Sequence, residues 1–124
     1  MDICLPVNDY ARWRPLFEQA IDQRFYTIEH LDRMIFDGIT QIWFGEEAAI
    51  VTELKTYPTG VQVIEGIVAA GDLDEIVEHL IPKAEAWAKE FGCKFARIES
   101  REGWAKVLKK KGWEVSQTAL VKEL

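Results

Sequence analysis

The spacing of hydrophobic positions changes several times along the chain, and each change marks a predicted element. Three apolar or alternating stretches follow one another in "ITQIWFG", "AAIVTELKTYP" and "VQVIEGIVAA". The short connection "GEE" separates the first two, and "TYPTG" turns the chain into the third. Connections of this kind suit tight turns between neighbouring strands. The pattern therefore predicts an antiparallel meander of three strands. Gly66 lies inside the third strand, where a glycine costs stability and often marks a β-bulge or a close backbone approach.

Two helices are predicted before this meander. "RPLFEQAIDQR" places its apolar residues on one helical face, with Pro15 in the first turn and Asn8 or Asp9 as a candidate cap. "TIEHLDRMIFDG" predicts a second helix that Thr27 caps and Gly38 ends.

The longest helical pattern follows the meander, with apolar residues every three or four positions from Leu73 to Phe91. Pro82 interrupts it and predicts a kink or two abutting helices, because proline lacks a backbone donor. "KFARIES" predicts a strand, "REGWAKVLKKK" a helix, "WEVSQTALVKEL" a final strand and "DICLPV" an opening strand. The order is β-α-α-β-β-β-α-β-α-β, which indicates an α/β (α+β) domain with a mixed, mostly antiparallel sheet and helices on both faces.

Length and composition limit this domain. With 124 residues, of which 48% are hydrophobic and 29% charged, residues 1–124 suffice for one compact domain. No run approaches the roughly 20 apolar residues of a membrane span, and the first residues do not resemble a signal peptide. We therefore expect a cytoplasmic protein with no membrane partner.

The net charge of −6 argues against general binding of nucleic acids, whose phosphates select basic surfaces. The lysine run from Lys106 to Lys111 remains open to two interpretations. It contacts a phosphate or an acidic partner, or it is a solvated helix face.

Neither cysteines nor histidines form a recognisable metal or catalytic motif. Cys4 and Cys93 have no metal-ligand spacing and are interpreted as free thiols, and His30 and His79 are each alone on a predicted helix. We expect no metal site and two surface histidines.

The element order across nearly the whole chain resembles the GNAT (Gcn5-related N-acetyltransferase) fold. "WAKVLKKKGWEV" is similar to the family's last helix and strand, which commonly read Leu-Tyr-x-x-x-Gly-Phe. The segment "AEAWAKEFGCKFARIESREGWA" is similar to short GNAT-like proteins carried by bacteriophages and prophages. The resemblance implies a phage or prophage origin and a protein in the cytoplasm of a bacterial host or associated with a virion.

The turn before the long helix is where the resemblance implies a cofactor site. Catalytically active members of the GNAT family carry Arg/Gln-x-x-Gly-x-Gly/Ala in this turn and bind the pyrophosphate of acetyl-CoA through backbone amides. Here the stretch is "AAGDLDEI", with one glycine and with Asp72, Asp74 and Glu75 in the first helical turn. Carboxylates can satisfy the free N–H groups themselves, so the sequence predicts a self-capped turn. If acyl-CoA binds, the resemblance assigns its contacts to Ala69, Ala70 and Gly71.

The resemblance also places two catalytic positions. A tyrosine of the last helix, which can protonate the leaving thiolate in many members, is replaced by Leu108, which has no proton to give. Glu65 resembles the strand-borne glutamate that some members use as a general base, and its pKa would rise if it were buried. Alternatively, Glu65 pairs with an Arg or Lys across the sheet or is turned to solvent by a bulge. Glu53 is a second candidate, and the two carboxylates either bind a cationic group or flank a salt bridge.

Trp13 lies between Arg12 and Arg14 in "DYARWRP", before the first predicted helix. Aromatic and arginine residues are enriched at interface hot spots, so this segment is a candidate surface for a protein partner or for self-association. The alternative is a tryptophan that closes the edge of the core.

Two functions remain open. The first is a binding or assembly protein with a degenerate acetyl-CoA site and therefore no cofactor. The second is an acetyl-CoA-dependent N-acyltransferase with an atypical pyrophosphate loop.

Overall fold

The computed structural model describes residues 7–100 and 102–124. Its centre is the predicted meander: β1 (Thr40–Phe44), β2 (Ala48–Thr56) and β3 (Gln62–Gly71) pair antiparallel in chain order. The β1–β2 register places Ile42 opposite Val51. The meander inferred from the hydrophobic pattern is confirmed.

A β-bulge interrupts the pairing of β2 with β3. Val51 lies opposite Val68 and Thr52 lies opposite Gly66, so Ile67 has no partner on β2. The glycine in the strand pattern did mark a bulge. A bulge bends its strand and increases the local twist, which changes the course of β3 beyond Gly66.

A fourth strand, β4 (Phe95–Ile98), pairs in parallel with the first half of β3. The sheet order is β1-β2-β3-β4, so the sheet is mixed and mostly antiparallel, as predicted. A Cβ at Gly66 would lie 3.2 Å from Cγ1 of Ile98, so glycine allows β4 to approach closely.

Two helices, α1 (Val7–Ala20) and α2 (Ile28–Phe36), cover one face of the sheet. Thr27 caps α2 as predicted, and Gly38 follows it at a φ of 72°. The buried residues on this side are Trp13, Phe17, Ile28, Leu31, Ile42, Ala49 and Val51.

The first helix begins earlier than predicted. Pro15 lies inside α1, and Asn8 and Asp9 also lie within it, so neither residue is its cap. The helix extends back because Trp13 and Phe17, spaced by four, both bury their side chains in the core. Their packing outweighs the cost of the missing proline donor.

Three abutting helical pieces cover the other face: α3 (Leu73–Glu75), a π-helical turn (Ile76–Leu80) and α4 (Ile81–Glu90). The π-helical turn ends two residues before Pro82, and Ile81 N–H donates to the carbonyl oxygen of Ile76. The interruption predicted at Pro82 therefore takes the form of a π-helical turn, which is wider than an α-helical one. The core on this side contains Trp43, Ala48, Ile50, Ile64, Ile76, Val77, Leu80, Ile81, Ala84, Ala88 and Leu108.

The end of the described chain differs from the prediction. A short helix, α5 (Glu102–Leu108), runs into a 3-10 turn (Lys109–Lys111), and Gly112 follows with a φ of 89°. Residues 113–124, predicted as a strand, have no regular secondary structure, and residues 114–124 are exposed. The predicted opening strand lies largely outside the described residues; Val7, its last residue, begins α1.

Among residues 7–100 and 102–124, none of the helices combines the length and apolar character that crossing a membrane requires.

Candidate functional site

A cleft opens where β3 and β4 stop pairing. The parallel ladder joins Val63–Gly66 to Phe95–Ile98, but β3 continues to Gly71. Beyond the bulge, β3 therefore has no strand partner on its β4 side among residues 7–100 and 102–124. Alternate backbone N–H and C=O groups along such an edge are free to bind an extended ligand.

The cleft between the two strands has a volume of about 780 Å³. This volume lies within the roughly 300–1,000 Å³ typical of small-molecule sites. Its walls are mostly apolar and come from both faces of the sheet. They include Ile64, Ile67, Val68, Ile81, Ile98 and Trp104.

The charged groups at the cleft are largely acidic. Glu85 and Glu99 line it, and neither has a hydrogen bond or ion pair with another side chain in the described part of the chain. Burial raises the pKa of Glu85. Arg97 also lines the cleft, but it is paired with Glu65. The unpaired charge in the cleft therefore disfavours an anionic ligand.

The turn from β3 into α3 packs against the β1–β2 connection. Gly71 has a φ of 101°, and a Cβ there would overlap the carbonyl oxygen of Glu47. Asp72 N–H donates to the same oxygen at 2.8 Å. The glycine is required by this close backbone approach, and one donor of the turn is already used.

Two carboxylates of this turn accept hydrogen bonds from further backbone N–H groups. Asp72 is the N-cap of α3, and its side chain accepts a hydrogen bond from Glu75 N–H at 2.9 Å. The carboxylate of Glu75 turns to the β1–β2 connection, where it accepts from the N–H groups of Glu46 and Glu47 at 3.1 and 2.8 Å. The predicted self-capping is confirmed, although Asp72 alone provides it.

Glu65 lies in a polar cluster on the sheet. Arg97 Nη1 contacts its Oε1 at 3.0 Å, Lys55 Nζ contacts Oε2 at 3.2 Å, and the Tyr57 hydroxyl also donates to Oε1. Arg97 additionally donates to the Tyr57 hydroxyl. Only 15% of the Glu65 side chain is exposed. The alternative in which Glu65 pairs with cations across the sheet is the arrangement observed.

The protonation of Glu65 follows from these partners. Burial by itself raises the pKa of this carboxyl, but the hydrogen bonds from Tyr57 and Lys55 and the nearby positive charges outweigh it, so the pKa lies below its usual value. A buried general base would show the opposite shift. Glu65 is therefore ionised at neutral pH with its lone pairs engaged.

Glu53 lies directly opposite Glu65 in the β2–β3 register, and Lys55 Nζ contacts Glu53 Oε1 at 3.3 Å. The two carboxylates thus share a cation from the chain itself, which matches the salt-bridge alternative. The alternation of β2 could have indicated Lys55, two residues from Glu53. Arg97 could not be found, because its proximity depends on the β3–β4 register.

Three other predicted positions have clear locations. Leu108, at the position of the expected acid, is buried in the core, and both histidines are exposed. Trp13 is only 4% exposed and lies in the core beneath α1, as in the alternative in which this tryptophan closes the edge of the core. Within the described ranges no group of three potential metal ligands occurs, and Cys93 is a free thiol, whereas Cys4 lies outside them.

Solved structures of acetyltransferases have a similar fold over nearly the whole length of this chain. A ribosomal-protein-alanine N-acetyltransferase from Brucella melitensis biovar Abortus 2308 has a TM-score of 0.69 at 13% identity, over 97% of this chain and 96% of that one. A predicted acetyltransferase with acetyl-CoA from Clostridium acetobutylicum reaches 0.72 at 12% identity, over 96% and 92%.

An aminoglycoside antibiotic 6'-N-acetyltransferase from Acinetobacter haemolyticus gives 0.71 at 12% identity, over 97% and 94%. This chain has the GNAT fold. No protein-family model matches its sequence, and no curated protein sequence matches it significantly. The GNAT likeness is therefore one of fold alone, and the site residues must be judged by their own chemistry.

Proposed function

We propose that this GNAT-fold protein has a binding or assembly role and that its acetyl-CoA site is degenerate. One observation carries the proposal: the β3–α3 turn already uses two of its N–H donors and places carboxylates where the family binds a diphosphate. Asp72 N–H is bound by Glu47, and Glu75 N–H is bound by the Asp72 side chain. Leu73 and Asp74 provide the remaining amides of the first turn.

The expected penalty for a diphosphate at this turn is large. A carboxylate within about 4–6 Å of a phosphate adds on the order of 1 kcal/mol of repulsion near a protein surface. Two such groups, on Asp72 and Asp74, lower affinity by roughly 30-fold, since about 1.4 kcal/mol corresponds to a factor of ten. The Glu75 carboxylate is turned to the β1–β2 connection and is not counted. The residues of this turn therefore do not fit the cofactor's diphosphate.

The catalytic positions support the same proposal. A general base needs a lone pair free to accept a proton from an amine, and the Glu65 carboxylate is held by Lys55, Tyr57 and Arg97. Leu108 supplies no acid.

The alternative function is an acetyl-CoA-dependent N-acyltransferase with an atypical loop. The cleft of about 780 Å³ favours it, because the unpaired edge of β3 offers backbone groups to an extended amide-bearing arm such as pantetheine. In that case Ala69, Ala70 and Gly71 would hold the cofactor.

We also propose a phage or prophage origin and a location in the host cytoplasm or on a virion, supported by the resemblance of residues 84–105 to such proteins. The proposed role requires a protein partner or self-association through a surface other than the Trp13 side chain, which is buried.

Calorimetric titration with acetyl-CoA at low and moderate salt tests the proposal. We expect no binding up to millimolar ligand for the unmodified chain. Asp72→Asn combined with Asp74→Asn removes two charges but retains a capping side chain, and it should strengthen binding if repulsion is the obstacle. Micromolar binding by the unmodified chain would favour the acyltransferase instead.

A further inference from the structure

The open edge of β3 offers backbone groups at defined residues. Asp72 N–H donates to the carbonyl oxygen of Glu47, which extends the antiparallel β2–β3 ladder by one hydrogen-bonded pair. Such pairs alternate with non-bonded ones along an antiparallel ladder, so Ala70 also directs its N–H and C=O towards β2. The N–H and C=O of Ala69 and the N–H of Gly71 therefore point to the other side. On that side no strand pairs with them within the described part of the chain.

The walls of the β3–β4 cleft suit the side chains of an extended ligand. Ile81 is buried, Ile98 and Trp104 are half-buried, and all three line the cleft of about 780 Å³. Side chains of an extended segment alternate between the two faces of the sheet. A segment bound to the edge of β3 would thus place apolar side chains against these walls while its backbone is hydrogen-bonded.

The uncompensated charge of the cleft is negative. Among its charged lining residues, Asp22 and Arg97 each form an ion pair with another side chain of the chain. Glu85 and Glu99 have no side-chain hydrogen bond or ion pair within the described residues. Burial raises the pKa of Glu85, and a cation nearby would lower it again. The cleft is therefore complementary to a ligand that carries positive charge.

We propose that the β3–β4 cleft binds an extended basic segment of a partner protein, which adds to the edge of β3 as a further strand. The segment's backbone binds Ala69 and Gly71, its Lys or Arg side chains pair with Glu85 or Glu99, and its apolar side chains contact the walls. This proposal rests on the binding role proposed above and specifies the chemistry of the partner.

Calorimetric titration of the full chain with synthetic peptides tests the proposal. The probes are acetyl-Val-Lys-Val-Lys-Val-amide and acetyl-Leu-Arg-Leu-Arg-Leu-amide. Each has one counterpart with glutamate in place of the basic residues and another with N-methylated backbone amides. We expect the basic peptides to bind at least about 10-fold more tightly than the acidic ones, because each exposed ion pair changes affinity a few-fold. N-methylation should weaken binding by at least about 10-fold, because it removes the donors that a strand needs.

Variants with equal net charge test the role of the cleft carboxylates. Glu85→Gln combined with Glu99→Gln should weaken binding of the basic peptides by about 10-fold. Glu90→Gln combined with Glu123→Gln removes the same charge at two exposed residues outside the cleft and should leave binding unchanged. An equal loss in the two double variants would overturn the assignment of the basic side chains to the cleft.

Residue-resolved hydrogen exchange shows where the peptide binds. The amides of Ala69 and Gly71 should gain protection when a basic peptide is added, whereas that of Ala70, which faces β2, should change little. Unchanged exchange at Ala69 and Gly71 with bound peptide would overturn the strand addition.

The titrations also separate this proposal from the proposed function. No binding of either basic peptide at millimolar concentration would overturn the basic segment, as would equal binding of the basic, acidic and N-methylated forms. Neither result changes the outcome of the acetyl-CoA titration. Micromolar binding of acetyl-CoA would overturn the proposed function even if a peptide binds, so the two failures are distinguishable.

Discussion

Replacing Asp72 by alanine tests the self-capped turn directly. The Asp72 carboxylate accepts Glu75 N–H at 2.9 Å and is the capping side chain of α3. Losing an N-cap costs about 0.5–2 kcal/mol. Because Asp72 is exposed, water replaces part of the lost bond, and we expect a loss of about 1 kcal/mol.

This loss is measurable by thermal unfolding. For 124 residues the unfolding entropy is about 260 cal/mol/K, so about 1 kcal/mol lowers Tm by roughly 4 °C. Circular dichroism of Asp72→Ala, Asp72→Asn and Asp74→Ala separates the contributions. Asparagine also caps and should change Tm little, whereas Asp74→Ala removes the same charge from the same turn without removing a cap. An unchanged Tm for Asp72→Ala, or an equal loss for Asp74→Ala, would refute the capping argument.

Three further predictions concern Glu65, Gly71 and Trp13. Glu65→Gln should destabilise the chain by about 1–3 kcal/mol in urea unfolding at pH 7. The pKa of Glu65 is lowered in the folded state, so the stability difference between the two proteins is fully present above pH 4.5, the ordinary pKa of the carboxyl, and should shrink as the pH falls below it. Gly71→Ala should cost more stability than Gly60→Ala, since both have positive φ but only Gly71 meets backbone atoms of Glu47, and equal losses would contradict that contact. Trp13→Ala should cost about 3–5 kcal/mol as a core residue, and a loss below 1 kcal/mol would restore the surface interpretation.

Local patterns were sufficient for much of the fold. The alternation of β2 and β3 and the Thr27 cap each depend on neighbours in sequence, so they could be predicted. Gly66 marked the bulge because glycine is costly inside a strand unless backbone geometry requires it.

The ends of the chain could not be predicted from local patterns. Pro15 suited a helix start, but the spacing of Trp13 and Phe17 was the better guide, because both side chains fill the core beneath α1. Residues 114–124 have strand composition, yet a strand forms only where a partner offers hydrogen bonds. Composition alone does not provide such a partner.

In the candidate site, too, contacts between residues close in sequence could be predicted, whereas contacts between distant residues could not. Asp72 could be predicted as a cap because the cap and its partner are three residues apart. The partners of Glu65 could not, because Arg97 meets it only through the parallel β3–β4 register. A carboxylate among apolar residues is a candidate base from sequence, and only its neighbours decide whether its lone pairs are free.

The most direct test of the central claim compares acetyl-CoA with acetyl-pantetheine, which lacks the diphosphate, in calorimetric titrations at equal ionic strength. If the carboxylates of the β3–α3 turn exclude the diphosphate, acetyl-CoA will bind no more tightly than acetyl-pantetheine. Two titrations without measurable heat of binding agree with this expectation. If acetyl-CoA binds about 100-fold more tightly, the turn holds a diphosphate and the account of a degenerate site is wrong.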